Sequence, residues 1–331
     1  MMRLSVLDQA PVTSGHTGEH ALNSAVELAQ VAEELGYYRM WMAEHHGGMS
    51  FASSAPEVIT AYLAAKTNKI RLGSGGIMMM HYSPLKMAEV FKTLSALAPG
   101  RIDFGVGRAP GGDANAIYAM SQGQKPMMDG LYEKLDTTLQ LIKDEAPEER
   151  WYKNTPAAPT GVSLPEAWLL GSSGNSAVQA GRMGLGYSFA QFFNGQLSAD
   201  TLDTYRHHFT PSDFMEKPDI SVTYLVTTAE TEEEAEYLAR PSDLSRLFLM
   251  RGQLRQLLSP EAAHDYPLTE VDKIHIANNR AIHLVGTPKQ IAEQLRDESE
   301  RYGFDEAMIC SIQHKQEDRL NVYRLLANEL L

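Results

Sequence analysis

Arg39-Met-Trp-Met-Ala-Glu-His-His46 decides how the chain is read. A run suited to a buried strand passes directly into three residues that can titrate or bind. Behind it lies a helical pattern, Glu19 to Leu35, with Leu22, Val26, Ala29 and Ala32 on one stripe and Gly36 as the stop. Ahead of it, Ser54-Ala-Pro-Glu57 reads as a capping box, with Pro56 tolerated in the first turn of the next helix. The unit to seek elsewhere is therefore an apolar strand ending in chemistry, flanked by amphipathic helices.

That unit recurs along the chain. Leu4–Leu7 comes before it, and Lys69–Gly73, Arg101–Val106, Ala167–Leu170, Gly186–Ala190, Ile220–Val226 and Glu306–Ile312 come after. Helical patterns separate them: Pro84 through Leu97, Met127 to Lys143, Asn175 to Met183, the region opened by Thr231-Glu-Glu-Glu234, Thr287 to Gly303, and Asp318 to Leu331. Eight short strands alternating with helices predict parallel βα units, closed into a (β/α)8 TIM-type barrel. A doubly wound open sheet is the competing α/β arrangement, because a strand count does not prove closure. The stretches 109–166 and 228–305 exceed ordinary loops and carry helices of their own. They read as insertions after the fourth and seventh strands of a single domain spanning 1–331.

Composition narrows the class. The 331 residues carry 29 basic and 42 acidic side chains, a net charge of −13, which argues against nucleic acid or an anionic membrane as partner. The apolar share of 43% supplies a core. One cysteine, Cys310, excludes an intramolecular disulfide framework and zinc sites built on paired thiolates, and its place in an apolar strand reads as packing. No apolar leader follows Met1, and no uncharged stretch is apolar enough to span a bilayer. A soluble cytoplasmic protein is expected.

In such a barrel the chemistry collects at the C-terminal strand ends. Those ends read Asp8-Gln9, Glu44-His45-His46, Gly75-Gly76, Gly107-Arg108, Gly171-Ser172-Ser173, Gln191, Thr227-Thr228 and Gln313-His314. Common motifs fail: Gly105-Val-Gly107 has Pro110 where a dinucleotide fingerprint needs glycine, Gly171-Ser-Ser-Gly174 is no nucleophile elbow, and no phosphate-binding P-loop occurs. No metal site is expected, because His45 and His46 are neighbours on a strand and point to opposite faces. Gly171-Ser-Ser-Gly-Asn-Ser176 is more informative, since it joins a strand to a helix with small residues, hydroxyls and backbone N–H groups that suit a phosphate. Its bland alternative is an N-cap at Asn175 or Ser176. Arg108 could add the positive charge, or serve only as a rim salt bridge.

These residues resemble a known family. Ser5-Val-Leu-Asp-Gln9, Trp41-Met-Ala-Glu-His-His46, Leu72-Gly-Ser-Gly-Gly76, Arg101-Ile-Asp-Phe-Gly-Val-Gly-Arg108, Leu170-Gly-Ser-Ser173 and Val285-Gly-Thr-Pro288 are similar, in order, to the bacterial luciferase-like flavin-dependent monooxygenases, and closest to their small oxidoreductase branch. The resemblance implies a barrel that binds FMN, acts with O2 on a small organic substrate and works as a homodimer. It implies His45 as the catalytic histidine, supported by Glu44. It also implies flavin contact at Gly75, Gly76 and Arg108, a non-prolyl cis peptide between Gly75 and Gly76, and a phosphate loop over Gly171, Ser172, Ser173 and Ser176. Absence of a nicotinamide fingerprint favours a separate flavin reductase as partner. Histidine suits proton transfer because its ordinary pKa lies near 6.5. A deazaflavin in place of FMN, or a barrel that only stores flavin, are the alternatives. Met78-Met-Met80 reads as packed filler.

Overall fold

The computed structural model describes residues 2–124, 129–194, 196–253 and 255–331. Its strands are β1 (Arg3–Asp8), β2 (Arg39–Met42), β3 (Arg71–Ser74), β4 (Ile77–Met78), β5 (Ile102–Gly107), β6 (Glu166–Gly171), β7 (Gly186–Ala190), β8 (Ile220–Thr228), β9 (His283–Gly286) and β10 (Glu306–Cys310). Neighbours run β1-β2-β3-β5-β6-β7-β8-β10, all parallel, and β10 pairs back onto β1 with Val6 opposite Ile309. An open sheet would leave two edges, so the doubly wound alternative is excluded and the barrel is closed.

All eight strands expected from sequence form, and two more appear. Strand β4 has two residues, too few for any alternation to show. Strand β9 hides inside 228–305 and pairs with the far end of β8. Leu225 bridges His283 on one side and Cys310 on the other, so β9 prolongs the β7 edge beyond the point where β7 stops.

The helices are α1 (Gly18–Leu35), α2 (Pro56–Lys66), α3 (Pro84–Leu97), α4 (Ala114–Met120), α5 (Leu131–Ile142), α6 (Gly174–Arg182), α7 (Gln191–Asn194), α8 (Ala199–His208), α9 (Glu232–Met250), α10 (Pro260–His264), α11 (Glu270–Asn279), α12 (Pro288–Tyr302) and α13 (Gln316–Leu330). Thr17 caps α1, and Gly36 ends it at φ 89°, where a side chain would be strained. Thr287 and Gln290 cap α12 reciprocally. The box expected at Ser54–Glu57 does not form: Ala55 is the N-cap and makes no side-chain bond. Pro56 takes the first helical position, which leaves Ser54 one residue too far out to cap. Thr231 caps the Glu234 N–H of α9, but only that half of its box is made. Helix α5 begins at Leu131; Met127 and Met128, expected to open it, lie outside the described residues. Each long insertion includes one of the barrel's own outer helices, α5 or α12, so the added material is shorter than 109–166 and 228–305 suggest.

Alternation along the strands sorts the interior from the shell. Met40 and Met42 join the outer core under the helices, whereas Trp41 and Ala43 join Leu7, Trp168, Leu225, Met308 and Cys310 inside the barrel. At the N-terminal end of this interior sits Arg39, fully buried, with Asp103 at 2.8 Å, Glu306 at 2.9 Å and Glu166 at 3.0 Å. Its guanidinium lies 4.6 Å over the Trp168 ring. At the opposite end, α9 crosses the mouth. Arg246 donates to the Phe192 carbonyl after β7, and Ser242 donates to the Ile312 carbonyl after β10.

Candidate active site

His45 continues the inward set Arg39, Trp41, Ala43, and so arrives at the barrel mouth. Its ring stacks on Phe51, with centroids 4.6 Å apart, and its backbone N–H donates to the Ser53 carbonyl. Gln9 Nε2, from the end of β1, lies 3.3 Å from His45 Nε2. Burial, aided by the neighbouring His46, pushes the His45 pKa down to about 4. This corrects the expectation of a group titrating near neutrality: at pH 7 the ring is neutral. With the Gln9 amide donating to Nε2, the proton resides on Nδ1.

Glu44 and His46 take the other parity and leave the barrel axis together. The Glu44 carboxylate is fully buried and accepts from His46 Nε2 (2.6 Å), the Tyr82 hydroxyl (2.7 Å) and the Met78 N–H (2.8 Å). The structure therefore brings Glu44 to His46, not to the His45 ring. Burial and the Glu44 charge drive the Tyr82 hydroxyl far above its ordinary range. This cluster fastens β4 and the first insertion to the end of β2, since the His46 N–H donates to the Gly111 carbonyl and His81 Nε2 meets the Pro110 carbonyl at 2.8 Å. Met78, Met79 and Met80 are buried, as filler should be. On its other side the same 45–53 loop meets the second insertion, where Ser50 donates to the Arg255 carbonyl and Leu257 bonds Val12 and Ser14.

Gly75 and Gly76 follow β3 and are joined by a cis peptide. A Cβ on Gly75 would lie 2.7 Å from Leu7 Cδ1 and 2.9 Å from Trp41 Cβ, so no larger residue fits the interior there. Farther round, Gly171 ends β6, and a Cβ on it would strike the Ser176 hydroxyl. Ser173 is the N-cap of α6, which corrects the choice between Asn175 and Ser176. Ser176 is buried and its Oγ is engaged: it donates to the Ser173 carbonyl at 2.8 Å and meets the Tyr187 hydroxyl at 3.1 Å. Its hydroxyl supports the loop from behind, while Ser173, Gly174 and Asn175 are exposed in front and Ser172 is half-buried. The first-turn N–H groups of Gly174 and Asn175 have, by position, no acceptor within the helix. Facing them, Asn175 Nδ2 donates to the Tyr132 hydroxyl at 3.2 Å. Burial raises the Tyr132 pKa, and the charge of the exposed Arg108, within electrostatic reach of the same hydroxyl, opposes that rise. Tyr132 and Tyr187 were not singled out from sequence; Tyr132 is 43 residues from its partner Asn175, and no local pattern marks it.

Residues 2–306 match the family model described as luciferase-like monooxygenase. The chain belongs to the luciferase-like monooxygenase family. It is 42% identical to the uncharacterized protein YwcH of Bacillus subtilis, with 98% of each chain covered. It is 36% identical to the N-acetyl-S-alkylcysteine monooxygenase of the same organism, covering 100% of this chain and 99% of that one. Among solved structures it resembles apo-MsnO8, at 36% identity and a TM-score of 0.90, over 99% of this chain and 98% of the other.

Two further residue types bear on what this luciferase-like barrel can do. Burial pushes the Cys310 thiol up to about 12, so it is not a nucleophile at neutral pH; its Sγ instead faces Gln9 Oε1 at 3.9 Å. Among the described residues, no three His, Cys, Asp or Glu side chains come together as metal ligands. His207 and His208 lie on α8, outside the barrel, where His208 Nδ1 meets the Thr204 carbonyl. Among the described residues no helix is long and apolar enough to cross a membrane.

Proposed function

We propose that this barrel is an FMN-dependent monooxygenase of the cytoplasm, taking reduced FMN from a separate flavin reductase and using O2 to oxidise a small organic substrate. The observation that carries the cofactor reading is the loop at the start of α6. Gly171 is excluded from bearing a side chain, Ser173 caps, and the exposed Gly174 and Asn175 amides share their surroundings with Arg108 and Tyr132. That set fits a phosphate: unpaired amides at a helix N-terminus, one guanidinium and neutral donors, with no carboxylate among them.

In this reading Arg108, Tyr132, Ser172, Ser173 and the first α6 amides hold the phosphate, with Ser176 bracing the loop. Gly75 and Gly76 let the backbone approach a flat ring closely. When bound, the reduced flavin supplies the electrons for O2 activation. His45 brings a ring N–H at Nδ1 and, at Nε2, a lone pair shared with the Gln9 amide, the equipment for moving a proton without carrying charge at rest. Glu44 serves that step at one remove, by fixing His46, β4 and the loop that carries His45. A homodimer is supported by Val58, Tyr62 and Leu97, large apolar side chains exposed on α2 and α3.

Riboflavin, which lacks the phosphate, tests the cofactor reading. Each lost charge-assisted hydrogen bond is worth about 1.5–3 kcal/mol, so riboflavin should bind at least tenfold more weakly than FMN. Equal affinities remove the phosphate assignment, and tighter binding of a deazaflavin replaces FMN as the cofactor. A protein that binds FMN tightly but oxidises nothing when given reduced FMN and O2 is a flavin store.

A further inference from the structure

The cofactor residues proposed above follow β3, β5 and β6 or lie on the helices after β5 and β6; the ends of β8 and β10 lie farther round the ring, with β7 between β6 and β8. A buried polar chain runs into this farther part from α9. Arg280 donates Nε and Nη2 to the two oxygens of Asp243, each at 2.8 Å. Asp243 Oδ1 faces His283 Nδ1 at 3.8 Å. His283 Nε2 meets Thr227 Oγ1 at 3.0 Å, and Gln313 Nε2 meets the same oxygen at 2.9 Å. Thr227, Asp243, His283 and Gln313 are all more than nine-tenths buried.

The direction of every bond in this chain follows from the charges at its outer end. Burial works against ionisation of Asp243, yet His283 and Arg280 hold its carboxyl below the ordinary range. Burial also pushes the His283 pKa down, against the pull of Asp243. A neutral imidazole has one N–H, and the carboxylate beside Nδ1 places it there. Nε2 then accepts, so Thr227 gives it its single hydroxyl proton. Only lone pairs remain on Thr227 Oγ1, so the NH2 end of the Gln313 amide must face it. Gln313 Oε1 is thus held at the far end, where it is buried without a hydrogen-bond partner. Gln191 Oε1, after β7, is buried and unpartnered too. On the same strands and just after them, Leu225, Met308, Phe192 and Ile312 belong to the apolar cluster inside the barrel.

We propose that this part of the mouth binds the substrate, and that Gln313, oriented by Thr227 and His283, recognises an N–H or O–H donor on an otherwise apolar molecule. Only the word substrate rests on the functional reading above. A buried acceptor that is held in one orientation discriminates strongly against an analogue lacking the donor, because binding that analogue leaves the carbonyl unpaired.

Three probe pairs test this on the full-length chain by calorimetric titration, with and without FMN: acetanilide and N-methylacetanilide, N-benzylacetamide and its N-methyl derivative, phenol and anisole. In at least one pair the donor-bearing member should bind about tenfold more tightly. Gln313→Leu should abolish the preference. Thr227→Val, which removes the hydroxyl at constant shape, should weaken it, and Thr227→Ser should keep it. The Thr227 variants give the same answer if Gln313→Leu does not fold. No preference in any pair, or a preference that survives Gln313→Leu, overturns the proposal. FMN binding, read by fluorescence in the same samples, is a separate arm. A preference without FMN binding sinks the cofactor reading and keeps this one; FMN binding without a preference does the reverse.

Discussion

The two ends of the barrel both bury polar side chains and use them in different ways. At the N-terminal end Arg39 is surrounded by Asp103, Glu166 and Glu306, with Trp41 donating to Asp103 and Trp168 beneath the guanidinium. Burial alone would lower the Arg39 pKa, but the carboxylates overcome it and hold it above the ordinary range. At the C-terminal end His45 is neutral, and Gln191 and Gln313 present buried carbonyls without partners. One end pairs opposite charges with each other, although Arg39 Nη2 and Trp168 Nε1 stay without hydrogen-bond partners; the other holds neutral groups, two of them with unpaired carbonyls. The lesson is that burial of a polar residue does not by itself separate structure from function: one end buries opposite charges against each other, the other buries neutral groups.

This contrast can be broken most directly at His45. His45→Ala should fold and bind FMN like the parent, while turnover with reduced FMN and O2 falls by about 10²–10⁴-fold, the usual worth of a general acid or base. Parent-like turnover in a folded variant would put His45 on the structural side. Arg39→Met should do the opposite. Asp103 keeps Arg71, but Glu306 is left fully buried with only Arg3 at 3.4 Å and the Ser5 hydroxyl, a loss of about 3 kcal/mol in urea unfolding, and an unchanged midpoint would show that the plug is not holding the barrel.

A pH series sharpens the comparison further. His45 titrates at about 4 when folded and near 6.5 when unfolded, so the unfolded chain takes up the proton first. The stabilising contribution is complete above pH 6.5 and is lost as pH falls towards 4, on the order of 2–3 kcal/mol. His45→Gln should flatten that part of the stability curve; an identical slope would mean the depressed pKa is wrong. The smallest effect is expected at Tyr132. Tyr132→Phe removes one neutral donor near the phosphate loop and should weaken FMN binding several-fold, about 0.5–1.5 kcal/mol, without weakening riboflavin binding. Equal losses for both flavins would place Tyr132 against the ring or outside the site.

The parts of this molecule that could be read from sequence are those with a local pattern. Eight strands showed themselves because an apolar run ending in Glu-His-His, Gly-Gly or Gly-Ser-Ser is visible within ten residues. Parity gave the split between His45 and its neighbours, and the same rule, carried one residue further, would have paired Glu44 with His46. Strand β9 was missed because four residues between two helices leave no period to count. Tyr82, Tyr132, Asp243 and His283 were missed for another reason: their partners lie 38, 43, 37 and 56 residues away, at distances only the closed barrel brings together. The neutral state of His45 depends on burial by Phe51 and the loops above it, which no composition reveals.

The loop over residues 45–53 touches both insertions, through His46 to Gly111 on one side and through Ser50 to Arg255 on the other. Nine residues therefore act as a shared bearing for two segments that are far apart in the chain. In this chain the two segments are coupled, since a change of length or register in one is transmitted to the loop and hence to the other. Chimeras built by exchanging a single insertion between relatives would inherit a mismatched bearing. Chimeras that carry both insertions and the loop as one block would keep it intact, which makes that block, rather than any one loop, the natural cassette for redirecting the enzyme.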